Sequence, residues 1–286
     1  YINKIEPETE KQFSAITVIL PDNTIYVSYR GTDNTLIGWK EDFNMIFKSH
    51  IASQISAKEY LENIAKKYPN KKIRIGGHSK GGNLAVYASI FADSEVKKRI
   101  INVYNNDGPG FNEDIINTEE YKKSIEKVIT YIPQDSIFGM LLNHEEKYTV
   151  VQSTQKGVME HDVYSWQVIG RNFVVLKEVT NGSKFIDKTI TNWLKNLDLQ
   201  TREQVIDIVF EIINSTEART IADLKLSLMK NAKIILSSYK HIEPENKKMI
   251  TATITALFGI VKENVKEEYK NNINKEKENL WKKTIN

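Results

Sequence analysis

A serine hydroxyl becomes a useful nucleophile only when a base removes its proton and a third group holds that base in place. The stretch Ile73-Arg74-Ile75-Gly76-Gly77-His78-Ser79-Lys80-Gly81-Gly82-Asn83-Leu84-Ala85 sets one serine at the apex of a glycine-rich corner. A β-branched run leads into it and a segment of helical character leads out. Gly77-His78-Ser79-Lys80-Gly81 therefore has the form G-x-S-x-G between a strand and a helix, a strained turn that lifts the serine oxygen above a sheet. Glycines suit the corner because the backbone bends sharply and the following helix packs close. The five-residue pattern alone has about 0.1 chance matches in a chain of this size. Its meaning depends on whether the chain also supplies a base, an acid and donors for a developing oxyanion.

Five histidines are available: His50, His78, His144, His161 and His241. His78 sits on the turn itself, which points it away from Ser79. His241 falls in a helical C-terminal region, and His50 precedes the serine, against the Ser…Asp…His chain order of this strand–turn–helix context. His144 and His161 remain. His144 lies in a Glu-rich segment that reads as surface, whereas His161 lies in a turn between two β stretches, so His161 is favoured as the base. Two aspartates end strands beyond the serine, Asp107 and Asp135. In the α/β-hydrolase pattern the acid usually follows the second of these strands. Asp135 is accordingly expected to orient the imidazole, and Asp107 to cap a turn or border the pocket.

The elements that would position these groups can be read from periodicity and turn formers. Ala15–Leu20 and Thr24–Tyr29 read as strands around the turn Pro21-Asp22-Asn23. The second runs into Arg30-Gly31-Thr32-Asp33, where a glycine and a small hydroxyl residue at a strand's end suit oxyanion donors. A helix is expected over about 56–68, with Ser56 and Glu59 as a capping box. Strands follow over Lys72–Ile75, Arg99–Tyr104, Lys127–Ile132, Lys147–Gln152 and Phe173–Leu176. Helices are expected over about 80–91 and 112–126. Alternation of strands with helices predicts a mostly parallel sheet with crossover helices. From about residue 183 the β pattern stops, and helices are expected over about 184–197, 201–214, 222–237 and 245–283. Two regions follow: a core over 1–180 and a helical region over 181–286, the latter expected to be a cap or a docking surface.

Composition narrows the function classes. With 40 Lys and Arg against 37 Asp and Glu, the net charge of +3 is too small to argue for nucleic acid. The absence of cysteine excludes disulfides, thiolate metal sites and Cys nucleophiles. No apolar run reaches the roughly 20 residues of a membrane span. The chain opens on Tyr1 rather than Met, as expected of a sequence trimmed at its start, and a cytoplasmic location is expected.

Taken together, these motifs resemble the lipase class 3 branch of the α/β-hydrolases. Tyr29-Arg30-Gly31-Thr32 followed by Trp39 and Asp42 resembles that branch's R-G-[S/T] with a downstream W-x-x-D, and Gly77–Gly82 resembles its G-H-S-x-G-G. A closer resemblance is to a lipase-related bacterial family without an assigned function. Its GGHSKGGNLA elbow, NDGPGF turn and H-D-x-Y-x-W loop recur here as Gly76–Ala85, Asn106–Phe111 and His161–Trp166. The resemblance implies an α/β-hydrolase fold, a Ser79–Asp135–His161 triad, and an oxyanion hole using Thr32 and the backbone N–H of Lys80. It implies a serine hydrolase of carboxylic esters or lipid-like substrates that uses no cofactor or metal. Thioester cleavage uses the same machinery, and a non-catalytic hydrolase-fold protein binding a partner through its helices is the other alternative. Lys80 departs from the lipases, which often carry an apolar residue there, and its side chain is expected to bias the site toward anionic substrates.

Overall fold

Ile25, Val27 and Tyr29 are buried while Tyr26 and Ser28 between them are less so, the two-residue alternation of a strand. That strand, β3 (Ile25–Tyr29), forms the hinge of the sheet. On one side it pairs antiparallel with β2 (Lys11–Ile19), which pairs antiparallel with β1 (Ile2–Glu6). On the other side it begins a parallel run through β4 (Ile73–His78), β5 (Ile100–Asn106), β6 (Val128–Pro133) and β7 (Tyr148–Val151). A short ribbon of β8 (Val168–Ile169) and β9 (Asn172–Phe173) precedes β10 (Val175–Leu176), which closes the edge antiparallel to β7. The spatial order β1-β2-β3-β4-β5-β6-β7-β10 makes one eight-stranded, mostly parallel sheet. This computed structural model describes residues 1–216, 218–220, 223, 226, 228–252 and 255. With helices on its faces, the sheet has the α/β-hydrolase fold.

Register fixes which residues share the top of the sheet. Tyr29 pairs with Gly77, Gly77 with Asn105, and Asn106 with Tyr131. The loops after β3, β4, β5 and β6 therefore leave from one end, where open parallel sheets place their ligands. The helix after the serine, α3 (Lys80–Phe91), is buried on every side from Lys80 to Ile90, which explains its Gly, Ala and Leu content. It packs under α2 (Ala52–Lys67), and the main core joins Leu61, Ile75, Leu84, Ala88 and Val103.

Local chemistry moved several boundaries. Helix α2 begins at Ala52 rather than near Ser56, because the Gln54 side-chain oxygen accepts the Ile51 N–H at 2.9 Å and does the capping. A helix not expected from the sequence, α1 (Leu36–Asn44), starts at Thr35, whose hydroxyl accepts the Gly38 N–H. The helix expected over 112–126 is interrupted. It divides into α5 (Glu113–Ile116) and α6 (Glu119–Ser124), with Thr118 capping α6, while a separate short helix, α4 (Ser94–Arg99), precedes β5. The stretch 173–176 splits between β9 and β10. After the sheet come α7 (Asn181–Lys195), α8 (Leu199–Asn214) and α9 (Leu228–His241). Most of the helix expected over 245–283 lies outside the described residues. Among the described residues no helix is long and apolar enough to cross a membrane.

The elbow tolerates nothing larger than glycine. A Cβ on Gly77 would lie 2.6 Å from the Tyr29 carbonyl oxygen, and one on Gly81 would overlap that same oxygen. Both neighbours are backbone, so relief requires moving a strand. Gly81→Ala is expected to lower stability by about 1–3 kcal/mol or more, read as a fall in melting temperature. A substitution that leaves the melt unchanged would contradict this packing.

Candidate active site

Ser79 occupies φ 56°, ψ −133°, a conformation that a non-glycine residue adopts only when its surroundings impose it. It is held from both sides: its N–H donates to Asn106 O at 2.9 Å, and its carbonyl accepts the Gly82 N–H at 2.9 Å. The strain places the serine at the N-terminus of α3, where unpaired backbone N–H groups favour negative charge. The Lys80 and Thr32 N–H groups have no acceptor among the described residues. Gly31 brings the Thr32 loop against the serine, since a Cβ there would lie 3.2 Å from Ser79 Cβ and 2.7 Å from His78 O.

His161 stands at the end of a short 3-10 turn, and its Nδ1 lies 2.6 Å from Asp107 Oδ2. Asp107 is fully buried and sits at positive φ, directly after β5. Its other oxygen accepts the Ser136 hydroxyl at 2.5 Å and the Gly139 N–H at 3.1 Å. The imidazole thus faces a carboxylate already fixed by two further donors, which sets its tautomer and ring orientation. Phe138 packs against the ring at 4.2 Å between centroids and also lines the pocket of Ser79. Neither the Ser79 hydroxyl nor His161 Nε2 has a hydrogen-bond partner among the described residues.

Asp135 does not reach His161. Its carboxylate accepts the Gly157 N–H at 3.1 Å and the Thr180 hydroxyl, and its own N–H donates to buried Glu160 at 2.8 Å. It therefore ties down the loop that carries His161 and the start of α7. This corrects the expectation that Asp135 orients the imidazole: the pairing falls to Asp107. Chain order could not separate them, because both lie between Ser79 and His161. The signal that favoured Asp107 is its place on the strand next to the serine's own.

Two sequence motifs prove to be mechanically joined. Asn83, on α3, donates to Pro109 O at 3.0 Å and Gly110 O at 2.9 Å, and its own oxygen accepts from Gln54. Asn105 Oδ1 accepts the Gly108 N–H at 3.0 Å. The elbow helix therefore clamps the turn that presents Asp107, which gives the second glycine-rich segment its purpose.

Lys80 also departs from expectation. Its ammonium is buried and donates to Glu41 Oε2 at 2.9 Å, Gln12 Oε1 at 2.7 Å and Gln12 O at 3.0 Å. With its donors engaged inside, it cannot draw an anionic substrate; its place is to fasten α1 to the base of the elbow. The adjacent Asp42 accepts the Thr32 hydroxyl and borders the serine's pocket. Burial raises Asp42 to about 6 against the pull of Lys80. His144 pairs with Glu146 at 3.1 Å and His50 with Tyr87 at 2.9 Å, both away from His161.

A family model described as Mbeg1-like matches residues 1–211, most of the chain. The chain belongs to the Mbeg1-like family. No curated protein matches it. Among solved structures it is similar to fungal lipases at low identity. One, in an inhibitor complex, is 15% identical with a TM-score of 0.38, covering 50% of this chain and 63% of that one. Lipase II from Rhizopus niveus is 15% identical at 0.38, covering 49% and 62%. The Rhizomucor miehei lipase propeptide complex is 16% identical at 0.38, covering 50% and 53%. The chain thus spans less than two thirds of each of these structures.

His78 supports the site from beneath. Its Nε2 lies 2.7 Å from the His161 carbonyl oxygen, so it carries the proton there and donates, and the two rings lie 4.4 Å apart. Burial, followed by the neighbouring His161 ring, lowers His78 from 6.5 to about 4. The folded protein therefore resists protonation where the unfolded chain accepts it. Stability from this group is complete above pH 6.5 and is lost as pH falls toward 4. Between pH 8 and pH 5 the loss amounts to about 2 kcal/mol. Urea unfolding of His78→Gln at the two pH values is expected to show a correspondingly smaller acid loss; an unchanged difference would rule out this role.

Proposed function

We propose that this protein is a serine hydrolase that cleaves carboxylic esters through an acyl-enzyme. The observation carrying this reading is a strained serine at a helix N-terminus, with an imidazole that is held by a buried carboxylate and packs on Phe138, a wall of the serine's pocket. Ser79 is the nucleophile, His161 the base, and Asp107 the group that holds the imidazole and balances its charge once it takes the proton. The backbone N–H groups of Lys80 and Thr32 receive the oxygen of the tetrahedral intermediate. His161 then protonates the leaving alcohol, and water, activated by the same imidazole, releases the acid and restores Ser79. These steps need only side chains, backbone donors and water.

The domain reading that goes with this assigns residues 1–180 to the hydrolase core and 181–286 to a helical region beside it. Its support is that the last sheet strand ends at Leu176 and the next element is α7. The substrate class is an acyl ester or lipid-like molecule, consistent with the apolar residues around Ser79.

A fluorophosphonate probe tests the reading. Labelling at Ser79 is expected in the natural sequence and none in Ser79→Ala, together with a fall in p-nitrophenyl ester hydrolysis of about a thousandfold or more. Equal labelling of the two proteins would overturn it.

A further inference from the structure

The space beside Ser79 is small, about 100 Å³. A second cavity of about 300 Å³ lies between α1, α7 and α8. The two have Trp39, Phe43, Ile46 and Leu194 as common walls. We propose that the larger cavity is an acyl-chain site: an unbranched alkyl chain, attached to a carbonyl held at Ser79, passes Trp39 and Phe43 and lies against α8. This rests on the serine-hydrolase reading and adds to it a substrate class, esters of medium-chain fatty acids.

The walls argue for an alkyl chain rather than a polar ligand. The surface they present is apolar throughout. Arg202 is the charged residue among them, and its guanidinium is already committed. It donates to Ile46 O at 3.1 Å, Leu197 O at 3.1 Å and Leu194 O at 2.6 Å, stitching the ends of α1 and α7 to α8. The Phe43 and Phe210 rings meet edge to face at 5.8 Å and join α1 to α8 at the cavity wall. A concave apolar space of this size between well-tied helices has the usual form of a small-molecule pocket. Its apolar walls offer water no hydrogen-bond partner and favour contact with hydrocarbon. At roughly 30 Å³ per water-sized group, it accepts on the order of ten methylenes.

Ile206 lines the larger cavity and not the space beside Ser79, so Ile206→Trp fills the proposed chain site without touching the reacting groups. Val205→Phe is a second, smaller plug should the first not fold. Hydrolysis of p-nitrophenyl acetate and decanoate is measured on the natural protein and on each variant whose melting temperature is preserved. The natural protein is expected to prefer decanoate in kcat/KM by about tenfold or more, and the plugged variants to lose that preference while keeping acetate hydrolysis. An undiminished preference for decanoate in the plugged proteins, or no preference in the natural one, overturns the proposal. If neither ester is turned over, the hydrolase reading fails, and titration calorimetry of decanoate with Ser79→Ala decides the cavity separately. Binding that disappears when Ile206→Trp is added supports an alkyl site; binding that persists, or is absent throughout, overturns it.

Discussion

The carboxylate of Asp107 is the point on which the site depends. It is buried without a formal cation beside it, so its charge must be met by hydrogen bonds, and three donors from two separate loops supply them. Ser136 and Gly139 come from beyond β6, and His161 from the loop after β7. Losing any one donor leaves a buried lone pair unmet, which typically costs about 1–3 kcal/mol and more for a charged group. The arrangement therefore holds the loops of two later strands to the end of β5 while it orients the imidazole. The same contact that ties the top of the sheet together orients His161.

A second buried charge does the same work on the other flank. Lys80 meets Glu41 from α1 and Gln12 from β2, and Glu41 also accepts the N–H groups of Gln12 and Ser53. Breaking such a pair by removing one partner typically costs about 3–5 kcal/mol, because the remaining charge stays buried. In this protein it fixes α1, which carries Trp39 and Asp42, against the elbow. The wall of the pocket beside Ser79 and the backbone of its turn are thereby set by one ion pair.

The fold and the sharp turn that carries Ser79 were legible because their signals are local. The strand–G-x-S-x-G–helix sequence specifies a sharp turn through short-range sterics, and Gly77 and Gly81 confirm it by leaving no room against β3. Alternation gave β3 and helical spacing gave α8. Which aspartate meets His161 was not legible, since Asp107 and Asp135 end successive strands with turn formers after each. What separates them is which strand neighbours β4 and where the His161 loop returns, and both are properties of the assembled sheet. Lys80 failed for a related reason: a lysine reads as exposed until long-range partners such as Glu41 and Gln12 are brought to it. Likewise Gln54 replaced Ser56 and Glu59 as the cap of α2, because the helix was extended one turn by packing against β2 and α3.

The pairing of His161 with Asp107 is tested most directly by comparing Asp107→Asn with Asp135→Asn in the rate at which Ser79 takes up a fluorophosphonate. An amide in place of the orienting carboxylate favours the wrong imidazole tautomer. Asp107→Asn should therefore slow labelling by about a thousandfold to ten-thousandfold, while Asp135→Asn, which loosens only the loop, should slow it far less. Fast labelling of Asp107→Asn with near-complete loss in Asp135→Asn would contradict the account.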